Sequence, residues 1–156
     1  LDLMCPTNRI GTVDVYLTSH HGLAASGSPA LVHALQPRVA VMNNGTRKGG
    51  AAEAFRVLHE SPGLEDLWQL HWSYNAGLDN APSVFVANVD DAATVAGVLT
   101  APPPAPGGRQ GGGRGAPAGP AAHAPAHLIT ISARSDGTFT VTNTRNGFRK
   151  TYRPRD

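Results

Sequence analysis

The sequence predicts an α/β layered domain, and three observations carry that expectation. Over residues 13–87, short apolar runs of strand length alternate with stretches of helical spacing, the pattern of strands crossed by helices. Strong punctuation falls between them, at Ser28-Pro29, Pro37, Asn43-Asn44-Gly45 and Ser61-Pro62-Gly63. The chain is 156 residues long and 40% hydrophobic, enough to bury one core of ordinary size.

The first strand is expected over Val13 to Thr18, with Val13, Val15 and Leu17 on one face. It runs into His20-His21-Gly22. Ser28 and Pro29 then start a helix, because a serine oxygen caps free N–H groups and proline fits a first turn where its missing N–H costs nothing. That helix carries Leu31, Val32 and Leu35 and must stop before Pro37. Arg38 to Met42 reads as a buried strand ending in the turn signal Asn43-Asn44-Gly45. A second helix covers Ala51 to His59, with Ala54, Phe55, Val57 and Leu58 apolar. Leu67 to Trp72 and Val84 to Ala87 read as further strands.

Ala101 to His127 breaks the pattern, with seven prolines and seven glycines and almost nothing that can enter a core. It reads as a disordered, flexible insertion. The expected organisation is therefore one domain over 1–100 and 128–156, interrupted by 101–127. Beyond the insertion, Leu128, Ile129 and Ile131 are followed by Ser135-Asp136-Gly137, then by Phe139 and Val141, which reads as a β-hairpin. Asn146-Gly147 turns the chain into a last extended piece.

Charge and cysteine use narrow the function classes. Residues 1–100 hold five Lys/Arg against nine Asp/Glu, and residues 101–156 hold eight against two, so the basic character belongs to the C-terminal part. No apolar run approaches the roughly 20 residues that cross a bilayer, so a soluble protein is expected. One cysteine, Cys5, excludes an internal disulfide, and with no histidine nearby it is a poor nucleophile candidate. The opening Leu1-Asp2-Leu3-Met4 reads as the interior of a longer polypeptide, with no targeting segment to indicate localisation.

His20 and His21 are the leading site candidates. Neutral imidazole is a common ligand for divalent metals, and a strand-to-loop junction aims a side chain from a rigid support. The following glycine leaves room for a metal or substrate, and the helix at Ser28 offers a partial positive charge to an anion. The same dipeptide also reads as two solvated loop residues. His33 reads as helix surface or core lining, His59 as a helix-end cation, His71 as strand packing, and His123 and His127 as solvated. Asn43 and Asn44 serve the turn, with a place beside a substrate cleft as the alternative. In the insertion, Gly108-Arg109-Gln110-Gly111-Gly112-Gly113-Arg114-Gly115 is similar to Arg-Gly tracts that bind single-stranded nucleic acid. It holds two arginines and no aromatic residue, so weak, non-specific binding is expected.

Across residues 13–45 the chain resembles the metallo-β-lactamase-fold hydrolases, most closely the branch that includes the metallo-hydrolase domain of DNA-uptake competence proteins. The resemblance is carried in order by Ser19-His20-His21-Gly22, Ser26-Gly27-Ser28-Pro29 and Pro37-Arg38-Val39-Ala40-Val41. The Leu64–Trp72 segment and the closing hairpin also look like the C-terminal part of that family. The resemblance implies the C-terminal half of an αββα sandwich and, in the whole protein, one or two divalent metal ions, usually zinc. It makes His21 a metal ligand and His20 a proton donor to the leaving group. The implied reaction is hydrolysis of an ester, phosphodiester or amide-like bond in an unidentified small or polymeric substrate. The family's His-x-His-x-Asp-His cluster, middle histidine and bridging aspartate are absent from this sequence. A fragment without them is expected to be inactive alone, and a degenerate, non-catalytic module of the same fold is the alternative.

Overall fold

A computed structural model describes residues 6–90 and 126–155. The described residues up to Val89 and from Ala126 belong to one structural unit. Its elements are β1 (Val15–Leu17), α1 (Pro29–Leu35), β2 (Val39–Met42), α2 (Ala52–His59), β3 (Asp66–His71), β4 (Val86–Asn88), β5 (Ile129–Ala133), β6 (Phe139–Asn143) and β7 (Arg149–Tyr152). The chain is thus mixed α/β, with a parallel four-stranded sheet ordered β1-β2-β3-β4 and an antiparallel three-stranded sheet ordered β5-β6-β7.

The alternation of side chains along β2 explains the layering, because successive residues of a strand point to opposite faces. Ala40 and Met42 join Val32 of α1 and Phe55 and Leu58 of α2 in one core. Val39 and Val41 face the other way and join Trp68, Phe139, Val141 and Tyr152. The parallel sheet is therefore covered by helices on one face and by the antiparallel sheet on the other. All four residues of β2 are buried, as a central parallel strand requires.

Local signals in the sequence set most boundaries. Ser28 Oγ accepts from the Leu31 N–H at 3.3 Å, Pro29 occupies the first turn, and α1 closes with Gln36 in the left-handed region. Arg134 and Thr138 close the first hairpin around Asp136-Gly137, where Asp136 accepts from the Thr138 N–H at 2.8 Å. That bond holds the Asp136 carboxyl below its usual range.

Four expectations need adjusting. β1 is shorter than Val13 to Thr18, because the Val13 N–H bonds to Leu35 O at the end of α1 instead of to a neighbouring strand. As an edge strand, β1 is covered at Val15, whereas Leu17 is 58% exposed. The run from Val84 begins as a 3-10 turn, Ser83–Phe85, and only then becomes β4. Residues 101–125 lie outside the described residues, but His127, expected in the solvated insertion, is held. Its N–H and that of Ala126 both donate to Asn88 Oδ1 at 3.0 Å, and Asn88 Nδ2 donates to His127 O at 3.0 Å. No helix among the described residues is long and apolar enough to cross a membrane.

Candidate functional site

In a parallel sheet all strands end at the same edge. Here the C-terminal ends carry Thr18-Ser19-His20-His21 after β1, Asn43-Asn44 after β2, His71 and Ser73 at β3, and Asn88 at β4. Open α/β sheets bind ligands outside this edge, in the crevice made where strand order reverses. The order β1-β2-β3-β4 contains no reversal, so the described residues supply an edge without such a crevice.

Ser19–His21 forms a 3-10 turn whose backbone is unusual. His20, His21 and Gly22 have φ of 51°, 63° and 75°, three consecutive residues in the left-handed region. For the two histidines this costs about 1–3 kcal/mol each, and such strain persists only where surrounding structure enforces it. Gly22 is favoured by its φ, and an added Cβ would stand 2.9 Å from Met42 Sδ and force that buried side chain to shift. The glycine therefore makes room for a core methionine, a reason not visible in the sequence.

The His21 ring is oriented. Its Nδ1 lies 2.9 Å from the carbonyl oxygen of Asn43. A carbonyl can only accept, so Nδ1 carries the hydrogen and, in the neutral ring, Nε2 holds the lone pair. Metal-binding histidines are oriented in this manner, by a bond from the nitrogen that does not ligate. His20 is exposed, and its ring centroid is 6.4 Å from that of His21.

The backbone of this turn is tied to the start of α2. Gly50 and Ala51 donate their N–H groups to His21 O and Gly22 O, both at 2.9 Å. A Cβ on Gly49 would stand 1.9 Å from His21 O, so only glycine permits the approach. Sequence reasoning missed Gly49 and Gly50, because His21 lies 28 and 29 residues away from them and the contacts are backbone to backbone. Asn75 was also missed, although its Nδ2 donates to Arg47 O at 2.9 Å and Gly49 O at 2.8 Å.

The remaining candidates separate from this centre. Asn44, only 1% exposed, donates to His71 O at 2.8 Å and joins β2 to β3. Asn43 reaches His21 through its backbone, while its Oδ1 accepts from Thr18 Oγ1 at 3.3 Å. His33 Nε2 lies 3.0 Å from Val57 O and bridges α1 to α2. His59 ends α2 and is exposed. His71 is buried at the end of β3. Cys5, His123 and the Arg109–Arg114 tract lie outside the described residues. Beneath the Ser19–Gly22 turn, Tyr16, Leu23, Val32 and Leu58 line a partly open apolar recess of about 10 Å³. That is room for one water at most, too little for a substrate.

Among the described residues no group of three or more His, Cys, Asp or Glu is placed to hold a metal ion. His21 has the chemistry and orientation of one ligand, whereas a catalytic zinc needs about three. The described donor set is thus incomplete for such a site. No protein-family model, no curated protein and no solved structure matches this chain.

Proposed function

We propose that this chain is the C-terminal part of a metal-dependent hydrolase of the metallo-β-lactamase fold, to which His21 contributes one metal ligand, most simply for zinc. The observation that carries the reading is the paired left-handed conformation of His20 and His21, with the His21 Nδ1–H committed to Asn43 O. Backbone strain of that size clusters at functional sites. Helices, parallel sheet and antiparallel sheet, in that order, would supply three of the four layers of an αββα sandwich.

The other ligands would come from beyond the described residues. When bound, a metal at such a site supplies a hydroxide nucleophile and polarises the bond under attack. Within this chain, His21 offers the Nε2 lone pair. His20, exposed beside it, passes a proton to the leaving group. The substrate contains an ester, phosphodiester or amide-like bond.

The test uses a polypeptide that also carries the residues upstream of this chain, with zinc content and hydrolysis of a generic phosphodiester as readouts. His21→Ala should lose zinc and activity together, and His20→Ala should keep zinc while turning over more slowly. Full zinc occupancy in the His21 variant would overturn the assignment. The incomplete donor set of the described residues favours one second reading, a non-catalytic module of the same fold. That reading predicts no zinc in the wild type and no change in either variant.

A further inference from the structure

We infer that the Gly49-Gly50 turn, braced by Asn75, is the positioning element of His21 and fixes which ring nitrogen keeps the lone pair. The use of that lone pair as a metal ligand rests on the function proposed above, whereas the positioning itself does not.

Two adjacent carbonyls of the left-handed turn, His21 O and Gly22 O, are taken by two adjacent donors, the N–H groups of Gly50 and Ala51, each at 2.9 Å. This double bond pair holds His21 in a conformation a non-glycine residue otherwise leaves. The donors are themselves fixed. Gly49 and Gly50 are left-handed, with φ of 69° and 57°, and a Cβ on Gly50 would stand 2.5 Å from Ser73 Oγ. Ser73 Oγ donates to Gly50 O at 2.8 Å, and Asn75 Nδ2 donates to Gly49 O at 2.8 Å and to Arg47 O at 2.9 Å. The loop after β3 therefore braces the loop after β2, which grips the turn after β1.

The ring follows from the backbone. The direction of the Cα–Cβ bond at His21 depends on φ and ψ, and in this conformation Nδ1 meets Asn43 O at 2.9 Å. Relaxation to the β or right-handed region would swing Cβ and carry the ring off that carbonyl. A neutral imidazole free in water prefers its hydrogen on Nε2, so the grip reverses the intrinsic preference. It holds Nε2 ready to accept a Lewis acid or a proton. Asn75 and the two glycines act through His21 and touch no reacting atom.

The experiment reads the tautomer directly, with no metal present. The full chain, labelled with nitrogen-15 at histidine, is examined by long-range proton–nitrogen NMR at a pH where imidazoles are neutral. His21 should carry its hydrogen predominantly on Nδ1. Asn75→Ala removes the brace without adding bulk and should raise the Nε2–H share severalfold, and Gly49→Ala should raise it further. Gly77→Ala imposes the same backbone penalty, at φ of 58° with open space around it, and should leave His21 unchanged. A wild-type His21 with its hydrogen on Nε2 would overturn the inference even if Gly49→Ala fails to fold. So would an Asn75→Ala protein whose His21 tautomer matches the wild type. Zinc content of the His21 variants decides the ligand assignment separately, so either idea can fail while the other stands.

Discussion

Tyr152 of β7 donates its hydroxyl to Asp66 of β3 at 2.6 Å, and the same oxygen accepts the indole N–H of Trp68 at 3.1 Å. Lys150 of β7 also pairs with Asp66 and Glu65, so polar contacts as well as Trp68 and Phe139 join the two sheets. Burial, and then the bond to Asp66, push the Tyr152 phenol well above its ordinary range. A raised phenol contributes stability that is present below the unfolded tyrosine pKa of about 10 and is lost as pH rises through the folded value. Tyr152→Phe should cost about 1–3 kcal/mol at neutral pH, since it leaves the Trp68 N–H without a partner. It should also flatten the loss of stability above pH ~10. Urea unfolding at neutral and alkaline pH measures both effects.

Gly22→Ala meets two obstacles, a left-handed backbone and the Met42 sulfur. The backbone obstacle alone costs about 1–2 kcal/mol. Met42→Val in the same chain should recover the steric part and leave the backbone part. A double-mutant cycle by chemical denaturation should therefore show favourable coupling between the two sites. Strict additivity would mean that Met42 moves aside freely.

Asn43 and Asn44, adjacent and alike in sequence, should respond very unequally. Asn44→Ala removes a side chain that is 1% exposed and bonded to His71 O and Gly45 O, at a cost of about 2 kcal/mol. Asn43→Ala keeps the backbone carbonyl that holds His21 and gives up one long side-chain bond to Thr18. Its stability should stay within about 0.5 kcal/mol of the wild type. Thermal melts of the two variants check the contrast.

Two deletions that differ by two residues isolate the clasp at Asn88. Removing 101–125 keeps Ala126 and His127, whereas removing 101–127 takes three of the bonds made by the buried Asn88 side chain. The longer deletion should be less stable by about 1–3 kcal/mol. Differential scanning calorimetry should then show a midpoint lower by several degrees, at about 2–4 °C per kcal/mol for a domain of this size. Equal midpoints would show that the clasp contributes nothing.

Local chemistry was legible in the sequence. Ser28, Pro29 and Pro37 bracket α1, Asn43-Asn44-Gly45 ends β2, and Asp136-Gly137 turns the hairpin. Features that depend on distant backbone were not. Gly49 showed as a loop glycine, with no sign that His21 O lies against it. β3 begins at Asp66 rather than at the first apolar residue, because Lys150 and Tyr152, more than eighty residues away, satisfy that carboxylate. Gln69 sits fully buried in an apolar strand, because Asn80 and Ala81 meet its amide. At the candidate site the His20-His21 pair was visible, while the strain that gives it meaning was not.

The strand order β1-β2-β3-β4 predicts an order of events during folding. Each parallel pairing joins neighbours in the chain, so the parallel sheet and its two helices close small loops. The antiparallel sheet attaches through pairs such as Trp68–Tyr152 and Asp66–Tyr152, separated by 84 and 86 residues. Long closures are slow, because their entropy is lost before the contact forms. The turn that grips His21 is complete within residues 19–75, so it can form in the early unit, before Tyr152 docks. Substitutions at Tyr152 should then act mainly on the unfolding rate, and substitutions in β2 on the folding rate.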